Sequence, residues 1–301
     1  MRRCLYVIFA SLLLFATPLP DKKEQLLQIS KKYFPEHYIV IKEYDQQHIN
    51  EIIEGTSVVS SLGDIATVVH EAWHAYEGEH YNYDDPEMIF RINDSLQLSV
   101  ATFKTFPSHY VNSIVPAAVK KKIFRYADYV GTREKYLVTQ QYGILGLLEE
   151  AIAYYHSFNT DLSLFNYIND TNGWKETQPW MNWLGQIASY RYSFYEFKLF
   201  ISWYLQYAKS YQPEVYKAII KNKGLKSTYQ FLEKENTRLI TKYNQNRKEI
   251  LDRFKGRLKV EENYIYDQQT LQGAGLYDNE LNYLHDLLEA PEHQILDVLL
   301  K

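Results

Sequence analysis

Between residues 64 and 80 the apolar side chains Ile65, Val68, Val69, Ala72, Trp73 and Tyr76 recur at steps of one, three and four. On a helix turning about 100° per residue these positions form one continuous stripe, so the spacing predicts a helix over 64–80 with that stripe turned to a core. Similar periodicity predicts helices near 24–32, 87–105, 115–129, 134–158, 179–210, 213–222, 226–256 and 278–300, with Pro or Gly between several of them. Two runs read differently. Tyr38 to Lys42 is rich in β-branched and aromatic residues, and Thr56 to Ser60 follows the turn residue Gly55, so both are predicted to be short strands. No repeat and no Pro/Gly/Ser-rich linker interrupts the chain. The expected fold class is α+β, predominantly α-helical: a small N-terminal sheet, then a helical C-terminal lobe over about 160–301, within one domain spanning 21–301.

The polar side of the 64–80 helix carries His70, Glu71 and His74 in the pattern H-E-x-x-H. Residues four apart stack on one helix face, so the two imidazoles can share one metal ion while Glu71 lies beside them, the geometry of a zinc hydrolase. The plain alternative is a pair of surface histidines on an amphipathic helix. Downstream, Leu137, Ile144, Leu148, Ala151 and Tyr155 make an apolar stripe, whereas Gly143, Gly146, Glu150 and Ala153 make a face of small residues around one carboxylate. Mid-helix glycine costs about 1 kcal/mol relative to alanine, so two on one face predict that another element approaches closely there. If that element is the H-E-x-x-H helix, Glu150 becomes the third metal ligand, and Glu149, about 100° round the helix, points elsewhere.

A competing third ligand is His80, ten residues beyond His70. The three-histidine spacing wants a glycine where Glu77 stands, and here the glycine is displaced to Gly78. Neither Met88 nor Met181 sits in a convincing methionine turn, so Glu150 is favoured over His80. Glu71 and His74 also have the ligand step of helical di-iron proteins. The matching pair, Glu77 and His80, is interrupted by Gly78.

Composition narrows the partners. With 33 basic against 37 acidic residues and a net charge of −4, nothing suggests nucleic-acid binding. Arg2 and Arg3, the apolar run Leu5 to Ala16 and a Thr-Pro-Leu-Pro break read as a signal peptide over residues 1–20. The mature protein is then expected to be secreted or periplasmic, with no stable membrane span. The one cysteine, Cys4, lies in that signal. The remaining chain can hold neither a disulfide, a cysteine zinc site nor a cysteine nucleophile. Its many tyrosines suit a groove for peptide or glycan.

His70-Glu-Ala-Trp-His74, followed by Glu150-Ala-Ile-Ala-Tyr154, resembles the gluzincin, or thermolysin-like, group of zinc metallopeptidases. The resemblance covers roughly residues 64–156. It implies a zincin-like fold, zinc held by His70, His74 and Glu150, Glu71 as the general base, and a peptide or protein substrate. The group often has Asn before the ligand glutamate and Asp four residues after it, orienting a histidine. Glu149 and Tyr154 occupy those places here. Hydrolysis also needs a donor for the tetrahedral oxyanion, for which Tyr190, Tyr192, Tyr283 and His285 are candidates. A reading from another class is a zincin-shaped binding protein that captures peptide or glycan without cutting it.

Overall fold

The computed structural model of the chain describes residues 21–54, 62–80, 83–133 and 137–301. Asp21 accepts from the Glu24 N–H at 2.8 Å and caps α1 (Lys22–Tyr33). Asp45 likewise caps α3 (Gln46–Ile52), and α2 (Tyr38–Glu43) lies between them. Helices α2 and α3 pack against α4 (Leu62–His80), the H-E-x-x-H helix, and α1 packs on α2 and α3. The expected stripe is the buried one: Ile65, Val68, Val69, Ala72 and Trp73 are all within the core.

A hairpin follows, β1 (Glu87–Arg91) paired antiparallel with β2 (Gln97–Ala101) so that Ile89 faces Ser99. Asn93 closes its turn by accepting from the Ser95 and Leu96 N–H groups at 2.9 and 3.0 Å. Single-turn helices α5 (Ala117–Lys120), α6 (Tyr126–Tyr129) and α7 (Leu137–Gln140) lead to the long elements α8 (Ile144–Thr171), α9 (Gln178–Tyr211), α10 (Pro213–Lys221) and α11 (Lys223–Arg253). Helix α8 is buried on nearly every side because α4, α9 and α11 pack around it. A three-stranded antiparallel sheet, β3 (Leu258–Glu261), β4 (Tyr264–Asp267) and β5 (Gly273–Gly275), lies against α9. The chain ends with α12 (Asp278–Glu289) and α13 (Asp297–Leu300).

The protein is thus predominantly helical with small antiparallel sheets, but the sheets are not where the sequence placed them. Tyr38 to Lys42 is helix α2, not a strand. Its β-branched residues Val40 and Ile41 are buried in the layer formed by α1 and α4, and that packing overrides local strand preference. Thr56 to Ser60 lies outside the described residues, and among those described no strand precedes α4. Residues 87–105, expected as helix, form the hairpin instead: Met88, Phe90, Leu98 and Val100 occupy alternate positions, the period of a strand. The helix expected over 134–158 is broken at Gly143, whose φ is +56°. A Cβ there would lie 2.3 Å from the Phe106 carbonyl oxygen, so this glycine answers to Phe106 and Tyr204, not to α4. Helix α11 starts under Asn222, which accepts from the Leu225 N–H, and Gly224 lets it approach β2, where a Cβ would meet Ser99 O at 2.0 Å. No helix among the described residues is long and apolar enough to cross a membrane.

Candidate metal centre

Helices α4 and α8 run antiparallel, since Ala66 meets Ser157 while His74 meets Glu150. This brings three donors to one point. The Nε2 atoms of His70 and His74 are 3.1 Å apart, and Glu150 Oε2 lies 3.6 Å from the first and 3.5 Å from the second. Such a triangle leaves a centre about 2 Å from every donor, which is the length of a zinc–nitrogen or zinc–oxygen bond. These residues can therefore hold a metal ion. Each side chain keeps part of its surface open, 12% for His70, 22% for His74 and 19% for Glu150, as a site reached by solvent requires.

The surrounding groups fix the donor set. Glu149 Oε1 accepts from His74 Nδ1 at 3.0 Å, which turns Nε2 toward the centre. Tyr83, its ring stacked on Tyr142, donates its hydroxyl proton to the other Glu149 oxygen. Ser157 Oγ, 3.5 Å from His70 Nδ1, plays the corresponding part for the first histidine. Tyr154 packs edge-on against the His70 ring, centroids 4.7 Å apart, and is backed by the Arg125 guanidinium 4.6 Å from its own centroid. Tyr129 donates to Glu150 Oε2 at 2.9 Å, the same oxygen that faces the histidines.

Charge follows this geometry. Burial disfavours the His74 imidazolium, but the Glu149 and Glu150 carboxylates outweigh it and hold His74 well above the ordinary histidine range. Burial would raise Glu150, yet hydrogen bonding to His70 and His74 pulls it well below the usual carboxylate range. Burial first, then Glu150, pushes the Tyr129 phenol well up, so it stays a donor. Glu77, buried one turn beyond His74, is likewise raised well above normal, by burial and then by Glu149. An ion entering the triangle replaces the proton on His74.

Of the residues expected from sequence, His70, His74 and Glu150 come together, whereas Glu71, next to His70 in the chain, is exposed and close enough to Tyr44, between α2 and α3, to raise it. Burial and then the Glu71 carboxylate push that phenol up to about 12. Glu149 does not point away. It grips His74, because a helix crossing antiparallel can flank its neighbour with two adjacent residues. His80 is outside the cluster, stacked on Tyr76 with Nδ1 2.7 Å from the Tyr76 carbonyl oxygen. Met88 is in β1, and Met181 is buried in α9. Tyr192 donates to the Lys122 carbonyl, Tyr283 lies under the Lys122 ammonium, and His285 contacts Tyr195, so none of the three is among the groups that fix the donor set. Tyr190 is hydrogen-bonded to Thr67 and meets the ring of Tyr154 at 6.3 Å between centroids, so it too lies behind the groups that fix the donor set. Sequence reasoning missed Tyr83, Tyr129 and Ser157. Only Ser157 had a signal, seven residues beyond Glu150 on the same face of α8. No family model matches this chain, and no curated protein and no solved structure matches it either.

Proposed function

We propose that the protein is an exported zinc-dependent peptidase that hydrolyses peptide bonds with Glu71 as general base. The observation that carries this reading is the triangle of donors contributed by an H-E-x-x-H helix and a glutamate from the helix packed against it. Two nitrogens and one carboxylate oxygen suit zinc, and three protein ligands leave one position for solvent or substrate. Zinc held by His70, His74 and Glu150 would supply a Lewis acid that makes a water more acidic. Glu71 would take a proton from the attacking water and return it to the leaving amine. Glu149 holds His74 in the tautomer that presents Nε2, and Ser157 does so for His70. Tyr129, kept protonated, is the phenol nearest the donors and is the candidate to donate to the substrate's developing oxyanion. The apolar run before residue 20 supports export, and the two-residue signature His70-Glu71 with His74 supports hydrolysis over mere capture.

The test is metal analysis of the purified chain after zinc reconstitution, with turnover of a mixed peptide library. Near-stoichiometric zinc and cleavage that vanishes in Glu71→Gln are expected. A chain that binds no zinc, or one whose Glu71→Gln variant cleaves as well as wild type, would sink the assignment.

A further inference from the structure

Of the two histidines, His74 is aimed by a carboxylate, whereas His70 has only the Ser157 hydroxyl at 3.5 Å, the outer limit of a hydrogen bond. That hydroxyl also lies 3.1 Å from the Ala66 and Ala153 carbonyl oxygens, the better acceptors for its proton. Packing must therefore share in orienting the His70 ring, and Tyr154 is the ring that meets it edge-on. We propose that Tyr154, clamped from behind by the buried Arg125–Glu196 ion pair, is a positioning residue for His70, so that the pair acts on ion binding through it. This rests on the metal-binding reading of His70, His74 and Glu150 given above.

The clamp begins in α9. Glu196 is fully buried and accepts twice from Arg125, from its backbone N–H at 2.9 Å and from Nη1 at 2.7 Å. Held at both ends, the guanidinium lies 4.6 Å from the Tyr154 ring centroid, and that ring meets His70 with centroids 4.7 Å apart at 69°. Phe197, next to Glu196 in the chain, packs against the Tyr154 and Tyr129 rings at 5.3 and 4.9 Å. Arg125 also precedes α6: its carbonyl accepts from the Tyr129 N–H at 3.3 Å, and Tyr129 donates to Glu150. One ion pair thus stands behind a nitrogen donor and an oxygen donor.

Charge explains how a guanidinium can serve there. A lone cation would oppose an ion at the centre, but Glu196 neutralises Arg125 and leaves a flat, rigid surface for the Tyr154 ring. A buried pair of this kind is a poor source of stability, since apolar residues of similar volume often replace one without loss. Stability alone is therefore a weak account of it.

Cobalt(II), whose visible bands report ligand geometry, is the probe: the full chain is titrated with it, and affinity is measured against a chelator. Tyr154→Leu removes the ring, Tyr154→Phe keeps it, and Arg125→Met/Glu196→Leu replaces the ion pair with apolar side chains. Tyr154→Leu and the double variant are expected to bind at least about tenfold more weakly with altered bands, and Tyr154→Phe to stay within about twofold of wild type. Circular dichroism and urea midpoints establish which variants are folded. Tyr154 is only part-buried, so Tyr154→Leu decides the matter if the double variant unfolds. The proposal is overturned if a folded Tyr154→Leu or double variant keeps wild-type affinity and bands, or if Tyr154→Phe fails as Tyr154→Leu does. A wild-type chain that takes up no ion refutes the metal-binding reading and the proposal with it, which keeps the two failures apart.

Discussion

Glu149 and Glu150 are neighbours in the chain with separate tasks: one faces the ion site, the other aims a histidine at it. Glu149→Ala should therefore weaken zinc affinity by about 10- to 100-fold while leaving the three donors in place. Competition with a chelator of known affinity measures this, and an unchanged affinity would mean His74 needs no such support. Glu71→Gln should keep the affinity and lose turnover, since Glu71 is not a donor. The histidine pair was legible in the sequence, because His70 and His74 are one turn apart, but the glycine argument for Glu150 holds only in part, since Gly143 answers to Phe106 and Tyr204. The role of Glu149 was not legible, because helical spacing gives angles around one axis and says nothing of how a second helix crosses it. Tyr83 and Tyr129 reach the site from separate parts of the chain and carry no motif, so only the fold reveals them.

Helix α4 is held by what lies behind its histidines. Trp73 is 1% exposed, stacks on His156 with centroids 4.1 Å apart, and donates its indole N–H to His37 Nδ1 at 3.1 Å. Truncating it removes a large buried ring and a hydrogen bond together, so Trp73→Ala should destabilise the protein by about 3–5 kcal/mol. Urea denaturation followed by circular dichroism measures the change, and a loss under about 1 kcal/mol would show that α4 is anchored elsewhere. The long helices were readable because each sustains one periodic face over several turns. The short elements were not. Tyr38 to Glu43 has the composition of a strand and the burial of a helix, and its neighbours decide the matter. The hairpin over 87–101 did carry a period of two, but its turn at Asn93 sits inside what a longer window averages into a helix.

For the whole molecule the buried histidines set an acid limit. Burial pushes His37 down to about 3, and burial followed by the neighbouring His37 pushes His156 well below the ordinary histidine value of 6.5. Their folded pKa values lie below the unfolded ones, so the neutral native state keeps its full stability above about pH 6.5. As pH falls from there, the unfolded chain takes up protons that the native core refuses. Stability then drops by about 1.4 kcal/mol per pH unit for each imidazole. Replacing one, as in His156→Phe, should flatten the decline by that amount between pH 6.5 and 4, read from urea midpoints across the range. Parallel slopes in the two proteins would refute the assignment. The antiparallel meeting of α4 and α8 has a further consequence. Its donors come from residues 74 and 150, so an ion shared between them closes a long loop of chain. Like any cross-link, it restricts the unfolded ensemble, and a loop of that order corresponds to about 4 kcal/mol in the chain-entropy view. The ion would then be a clasp as well as a reagent. Stripping it with a chelator should speed hydrogen exchange in α4 and α8 together, even in a variant whose Glu71 has been silenced.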